Sequence, residues 1–266
     1  MVPTVLALIK NRQILTSFPT IYFINTNSSD NKLNLRTLCA IESASLHNPD
    51  SLIKFYTLSS INSDSVIEIS KIPNVTTQLT TAEDILDNTP LSQWYSRGDY
   101  KNGPYEITHL SDAMRLALLW KRGGIYMDTD IWSVKGISNM SNNIAREDDR
   151  HVNGAVMIFD KHHPFLYDCM VQFVLGYKRD QFIAQGPGLL TKVMPIKMVY
   201  KWKLAYTFHL WNKVSGKVIA KIGNKLFLEE LAKKNCPTVY KLMISMKILF
   251  QFTKLDLTST QNLPSI

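Results

Sequence analysis

The sequence predicts an α/β fold in which helices cover a mostly parallel sheet. Three observations carry that expectation. Short apolar runs, such as residues 21–24 (Ile-Tyr-Phe-Ile) and 153–159 (Asn-Gly-Ala-Val-Met-Ile-Phe), have the length and composition of buried strands. Segments with helical apolar spacing lie between them, and strands alternating with helices favour parallel pairing. Finally, Gly123-Gly124 stops an apolar helix and turns directly into Ile125-Tyr126-Met127, a compact helix-to-strand signal.

In chain order, the strand at 21–24 feeds a polar loop beginning at Asn25. Residues 35–46 fit a helix through Leu35, Leu38, Ala40, Ile41 and Ala44, ended by His47-Asn48-Pro49-Asp50. A second strand is expected at 52–58 and a third at 75–79. A helix then starts near Glu83-Asp84, capped by Thr80 or Thr81. Residues 90–105, rich in Trp, Tyr, Gly and Pro, are expected as a surface loop over the next helix, with Ser111 near that helix's start. Further strands are expected at 134–137 and 153–159, and an amphipathic helix at 164–177. Gln185-Gly186-Pro187-Gly188 reads as a turn opening a short helix. Residues 207–212 (Thr-Phe-His-Leu-Trp-Asn) read as a last strand, 226–234 as a helix followed by Pro237, and the final residues as a loose tail.

The 266 residues support one large core, and nothing in the composition is collagenous or repetitive. The net charge of +8 is local: residues 191–254 hold thirteen lysines against Glu229 and Glu230. Such a basic third suits phosphates, nucleic acid or an anionic membrane surface, or is a solvated face. Cys39, Cys169 and Cys236 allow at most one internal disulfide; buried inert thiols are an equal alternative. Glycosylation sequons begin at Asn27, Asn74 and Asn139. No run reaches the roughly 18–20 apolar residues of a membrane span, and residues 5–9 are too short for a signal-peptide core. The apolar stretch 242–252, interrupted by Lys247, suits an interfacial or buried helix.

The chemistry concentrates in residues 106–131. Asp128 and Asp130 are expected on one face of a strand end, because side chains alternate with period two. Adjacent carboxylates repel and are costly to desolvate, and a divalent cation such as magnesium or manganese removes that cost. The cation would in turn attract a diphosphate. On the preceding helix Asp112 and Arg115, three apart, share a face and can pair. An Asp-x-Asp phosphohydrolase is disfavoured: there the acids follow the first strand, whereas here they lie mid-chain and precede Ile131-Trp132.

The segment His109-Leu-Ser-Asp-Ala-Met-Arg115 with Gly-Gly-Ile-Tyr-Met-Asp-Thr-Asp130 resembles the α-1,4-glycosyltransferase family, which includes galactosyl- and N-acetylglucosaminyltransferases. The resemblance runs from about residue 21 to 240. It implies a GT-A-type nucleotide-sugar-binding fold, a retaining transfer of galactose or N-acetylglucosamine from a UDP-sugar to a glycolipid or glycan acceptor, manganese, and a Golgi membrane location. It implies no nucleic-acid partner; a peripheral membrane contact suits the basic third. Carried over, Asp128, Asp130 and His209 would hold the metal. Asp112, Arg115, Tyr126, Asn153, Gly186 and Pro187 would meet the donor, with Gln185 and Asp112 at the reacting centre. Gln185 would offer an amide oxygen to the cationic sugar, and front-face displacement is preferred over an enzyme nucleophile.

Four regions follow: a leader at 1–20 without a full membrane anchor, the nucleotide-sugar region at 21–190, a shortened family region at 191–240, and an unassigned tail at 241–266. The shortening falls between residues 193 and 205, and Asn25 stands where the family has Glu. These departures keep a second expectation open, a degenerate paralogue that binds donor or metal without turnover.

Overall fold

The structure, a computed structural model, describes residues 18–27, 32–146, 151–194, 206–210 and 227–245. Strands β1 (Ile21–Asn25), β2 (Ile53–Thr57), β3 (Val75–Leu79), β4 (Gly124–Met127), β6 (Asn143–Arg146) and β7 (Val152–Phe159) form one sheet in the order β3-β2-β1-β4-β7-β6. β7 runs against the other five. β5 (Ile131–Ser133) pairs antiparallel with β8 (Thr207–His209) in a separate ribbon. The helices are α1 (Leu35–His47), α2 (Ser63–Ser70), α3 (Ala82–Leu86), α4 (Ser92–Arg97), α5 (Glu106–Arg122), α6 (Pro164–Leu175), α7 (Pro187–Val193), α8 (Phe227–Asn235) and α9 (Pro237–Ser245).

The central strands are buried on both faces, which explains their unbroken apolar runs. Ile21, Phe23, Ile125 and Met127 pack with α1, the β5-β8 ribbon and the C-terminal helices. Tyr22, Ile24, Tyr126 and Met157 pack with α5 and α6 on the other side. The Gly123-Gly124 turn is obligatory: both have positive φ, and a Cβ at Gly124 would stand 2.5 Å from the Thr20 carbonyl oxygen. The mostly parallel, helix-flanked sheet expected from the sequence is therefore the observed architecture.

Several local expectations give way. Residues 90–105 are not a surface loop. They contain α4, and Trp94 is fully buried, its ring 4.9 Å from Phe173 and 5.3 Å from Tyr177. Burial of so large an apolar surface outweighs the turn-forming composition around it. α5 begins at Glu106, so Ser111 lies in its second turn. The strand expected at 134–137 lies earlier, at β5. Residues that follow are held elsewhere: Val134 N–H donates to the Tyr206 carbonyl and Ile137 N–H to Asn48 Oδ1. α2 and β6, eight and four residues long, are not among the expected elements. Pro237 opens α9 rather than trailing α8. The segments 195–205 and 246–266, and Asn212, lie outside the described residues.

α1 is the hub of the C-terminal part. Cys39 on α1 forms a disulfide with Cys236, 197 residues away, and Cys169 is a buried free thiol. The Glu42 carboxylate accepts from Thr238 N–H and Val239 N–H, both at 2.8 Å, and so caps α9. His47 Nε2 lies 2.9 Å from Asn235 Oδ1. The same helix fixes β5: Ser133 N–H donates to Ser43 Oγ at 2.9 Å, and the Trp132 indole donates to the Arg36 carbonyl at 3.1 Å. Among the described residues no helix is long and apolar enough to cross a membrane.

Candidate functional site

β4 delivers its carboxylates at the carboxyl edge of the sheet, where open α/β folds bind ligands. The period-two argument for Asp128 and Asp130 does not hold in detail. β4 ends at Met127, and Asp128 to Asp130 form a tight turn closed by Ile131 N–H donating to the Asp128 carbonyl at 3.0 Å. The turn, rather than a shared strand face, brings the acids together.

His209 arrives from β8. Register pairs Ile131 with His209, and Leu210 N–H donates to the Asp130 carbonyl at 3.0 Å. One ligand atom each from Asp128, Asp130 and His209 lies within 4.8 Å of the others, and His209 Nε2 is 3.4 Å from Asp130 Oδ1. Ligands of an octahedral ion with bonds of about 2.1 Å stand roughly 3 to 4 Å apart, so this group needs little contraction to hold a divalent cation. Two carboxylates and an imidazole suit a cation of intermediate hardness.

Beneath this group lies a more deeply buried pair. Arg115 Nη2 is 3.3 Å from Asp112 Oδ1 and 3.2 Å from Asp128 Oδ1. The side chains of Arg115 and Asp112 are 9% and 7% exposed, against 22% for Asp128, so the pair forms a floor under the metal group. The Tyr126 hydroxyl donates to Asp128 Oδ1 at 2.7 Å, and the Arg115 guanidinium lies 4.9 Å from the Tyr126 ring centre. Ser111 Oγ accepts from Arg115 Nη2 at 3.2 Å, fixing the guanidinium plane.

Burial pushes the Asp112 carboxyl up to about 6, against the pull of Arg115 and with an added push from Asp128. Burial alone would lower Arg115, but Asp128, Tyr126, Asp112 and Asp130 together hold it above its ordinary value. Burial first, opposed by Arg115 and reinforced by Asp128, raises the Tyr126 phenol.

Gly186, at the start of α7, lets the chain close on this floor: a Cβ there would stand 3.0 Å from Asp112 Oδ2. On β7, a Cβ at Gly154 would stand 2.9 Å from Arg115 Nη1. Pro187 opens α7 beside Gly186, and Asn153 precedes Gly154, with its Oδ1 accepting from Ala155 N–H at 2.8 Å. Asp112, Arg115, Tyr126, Asp128, Asp130, His209, Gly186, Pro187 and Asn153 thus converge on one end of β4.

Gln185 is the exception. It is buried, its Nε2 donates to the Phe173 carbonyl at 3.0 Å, and its Oε1 accepts from Lys178 N–H at 3.3 Å. Both ends of the amide bond backbone groups, Phe173 in α6 and Lys178 just beyond it. His109, from the same motif as Asp112, is also structural; its ring nitrogens lie 3.1 Å from the Tyr177 hydroxyl and 3.1 Å from the Gln181 carbonyl.

Sequence reasoning missed Arg36 and gave Ser111, though part of the motif, no role. Arg36 is buried in the first turn of α1; burial pulls its guanidinium down, and the charge of Asp130 opposes that. The signal available was an arginine two residues after the capping Asn34, just beyond the first strand. Ser111 could have been read from its spacing to Arg115, one helical turn away.

Comparison with known proteins bears on the family and the fold. Residues 35–150 match the family described as "Glycosyltransferase sugar-binding region containing DXD motif". Residues 158–197 and 197–243 match "Alpha 1,4-glycosyltransferase conserved region" in two pieces. The chain is 29% identical over 273 residues to the lactosylceramide 4-alpha-galactosyltransferase of Mus musculus, covering 84% of this chain and 76% of that protein. It is 30% identical over 213 residues to the protein of that name from Pongo pygmaeus, covering 64% of this chain and 98% of that one. To the Homo sapiens alpha-1,4-N-acetylglucosaminyltransferase it is 29% identical over 219 residues, covering 66% of this chain and 64% of that one. Among solved structures, the PaToxG glycosyltransferase superposes with a TM-score of 0.50 at 20% identity, covering 66% of this chain and 68% of that one. The chain therefore belongs to the α-1,4-glycosyltransferase family and has the GT-A fold.

Proposed function

We propose that the protein is a metal-dependent, retaining hexosyltransferase that moves galactose or N-acetylglucosamine from a UDP-sugar to a glycolipid or glycan acceptor in α-1,4 linkage. The observation that carries this reading is the layering of the site: the Asp128–Asp130–His209 group stands over the buried Asp112–Arg115 pair. The names of the galactosyl- and N-acetylglucosaminyltransferase relatives support the donor classes. A Golgi location rests on the same relatives.

Asp128, Asp130 and His209 would hold the cation; mixed oxygen and nitrogen ligation accommodates manganese, the ion the family resemblance implies. When bound, it offsets negative charge on the departing diphosphate. Arg115, charged at any working pH, adds fixed positive charge beside Asp128 where that charge develops. Ionised Asp112 accepts hydrogen bonds from the hexose hydroxyls and orients the ring, and Asn153 approaches from β7. The commitment of Gln185 to backbone partners supports a route without an enzyme nucleophile. The acceptor attacks the face from which the diphosphate leaves, and a phosphate oxygen takes its proton. Gln185 is then a positioning residue for Gly186.

A manganese-dependent assay of UDP-galactose and UDP-N-acetylglucosamine hydrolysis tests the reading, with the anomer of the first product read by NMR. Turnover with retention, lost in Asp130→Ala, is expected. Metal and UDP binding without turnover would instead identify a degenerate paralogue.

A further inference from the structure

We propose that Asn139 carries an N-linked glycan, on the pole of the molecule opposite the Asp128–Asp130–His209 group. The three sequons differ sharply in what the fold does with them. Asn74 is half-buried at φ 51°; its Nδ2 donates to the carbonyls of Asn48 (3.2 Å) and Ser51 (2.6 Å), and its Oδ1 accepts from Ser45 Oγ (2.6 Å). A sugar on that nitrogen would remove a donor and collide with the end of α1, so a glycan there is incompatible with this fold. The Asn27 sequon continues into Ser28 and Ser29, outside the described residues.

Asn139 and Ser141 are both exposed. Asn139 sits in a turn closed by Met140 N–H donating to the Ile137 carbonyl at 3.1 Å. Asn48 Oδ1 holds the turn from below, accepting from Ile137 N–H (2.8 Å) and Ser138 N–H (3.2 Å). A rigid base with an outward amide and a hydroxyl two residues on is what the modification needs.

Position follows from topology. α1 leaves the carboxyl end of β1 and its last residues reach the opposite edge, where β2 begins. Asn48 anchors the Asn139 turn at that edge, and Asn142 bonds Asp160, just past the end of β7. The catalytic group lies at the other edge, after β4, so a glycan at Asn139 leaves donor and metal free to enter. The Cys39–Cys236 disulfide supplies an independent observation on compartment, since such bonds persist where the same modification occurs. In the reaction Asn139 Nδ2 loses a proton and bonds the anomeric carbon of an oligosaccharide, and the polyisoprenyl diphosphate that carried it leaves. This inference does not depend on the protein's own sugar transfer.

The test is expression of the full chain behind a secretion signal in animal cells, with gel mobility read before and after peptide N-glycosidase. Wild type should shift on digestion. Asn139→Gln and Ser141→Ala should each remove one glycan's step, while Asn74→Gln keeps it. Digested and undigested protein should bind manganese and UDP equally. Unchanged mobility in both Asn139→Gln and Ser141→Ala, or no digestible glycan on disulfide-bonded wild type, would overturn the proposal.

Discussion

Arg115 grips Asp128 with two nitrogens, Nη2 at 3.2 Å from Oδ1 and Nη1 at 3.4 Å from Oδ2. A residue three positions from Asp112 on α5 thereby reaches across to the turn after β4, and the two halves of the recognised motif become one site.

That fork cannot be replaced by a point charge. Arg115→Lys should fold, because the charge is kept, but should lower UDP affinity at least tenfold by calorimetry. Arg115→Ala leaves Asp112 and Asp128 without their cation and should cost about 3–5 kcal/mol of stability, read from chemical denaturation.

Asp112 makes the metal-free protein pH-sensitive. Its carboxyl is raised to about 6 from an ordinary value of 3.8, so the folded state binds the proton more tightly than the unfolded one. Its contribution is fully present below pH 3.8 and is lost as pH rises through 6. With chelator present, the stability of wild type relative to Asp112→Asn should fall on the order of 2–3 kcal/mol between those limits. A flat difference would show that folding does not raise the Asp112 carboxyl.

Gln185 should behave as a structural residue. Gln185→Ala leaves the Phe173 carbonyl and Lys178 N–H without their partner and should cost about 1–3 kcal/mol. Donor hydrolysis measured well below the unfolding temperature should drop far less than in Asp130→Ala. Equal loss in both would return Gln185 to the reacting centre.

The clamp on the C-terminal helices should matter to stability as well. Closing a loop of this size stabilises by roughly 5 kcal/mol in the chain-entropy estimate, so Cys39→Ser should unfold at much lower denaturant. Glu42→Gln, which weakens the α9 cap, should cost about 1 kcal/mol.

What could be read from the chain was local. The Gly123-Gly124 turn, the apolar strand after it and the spacing of Asp112 and Arg115 each lie within a few residues, and periodicity or sterics dictate them. The nearness of Asp128 and Asp130 is legible in their spacing, but a turn and not a strand face joins them. His209 enters the candidate metal group through family resemblance alone; its place depends on the β5-β8 register, which no local pattern encodes. Arg36, the Glu42 cap and the Cys39–Cys236 bridge join positions far apart in sequence, so composition and spacing could not pair them. Gln185 lies in the expected turn, but the direction of its amide is set by two backbone groups, one in α6 and one just beyond it.

The most direct measurement is manganese binding in the presence of UDP, by calorimetry, for wild type, Asp130→Ala and His209→Ala. One stoichiometric site in wild type, with affinity lost in Asp130→Ala and sharply weakened in His209→Ala, is the predicted result. Equal affinity in all three folded proteins would contradict the account, because the cation would then lie somewhere other than between β4 and β8.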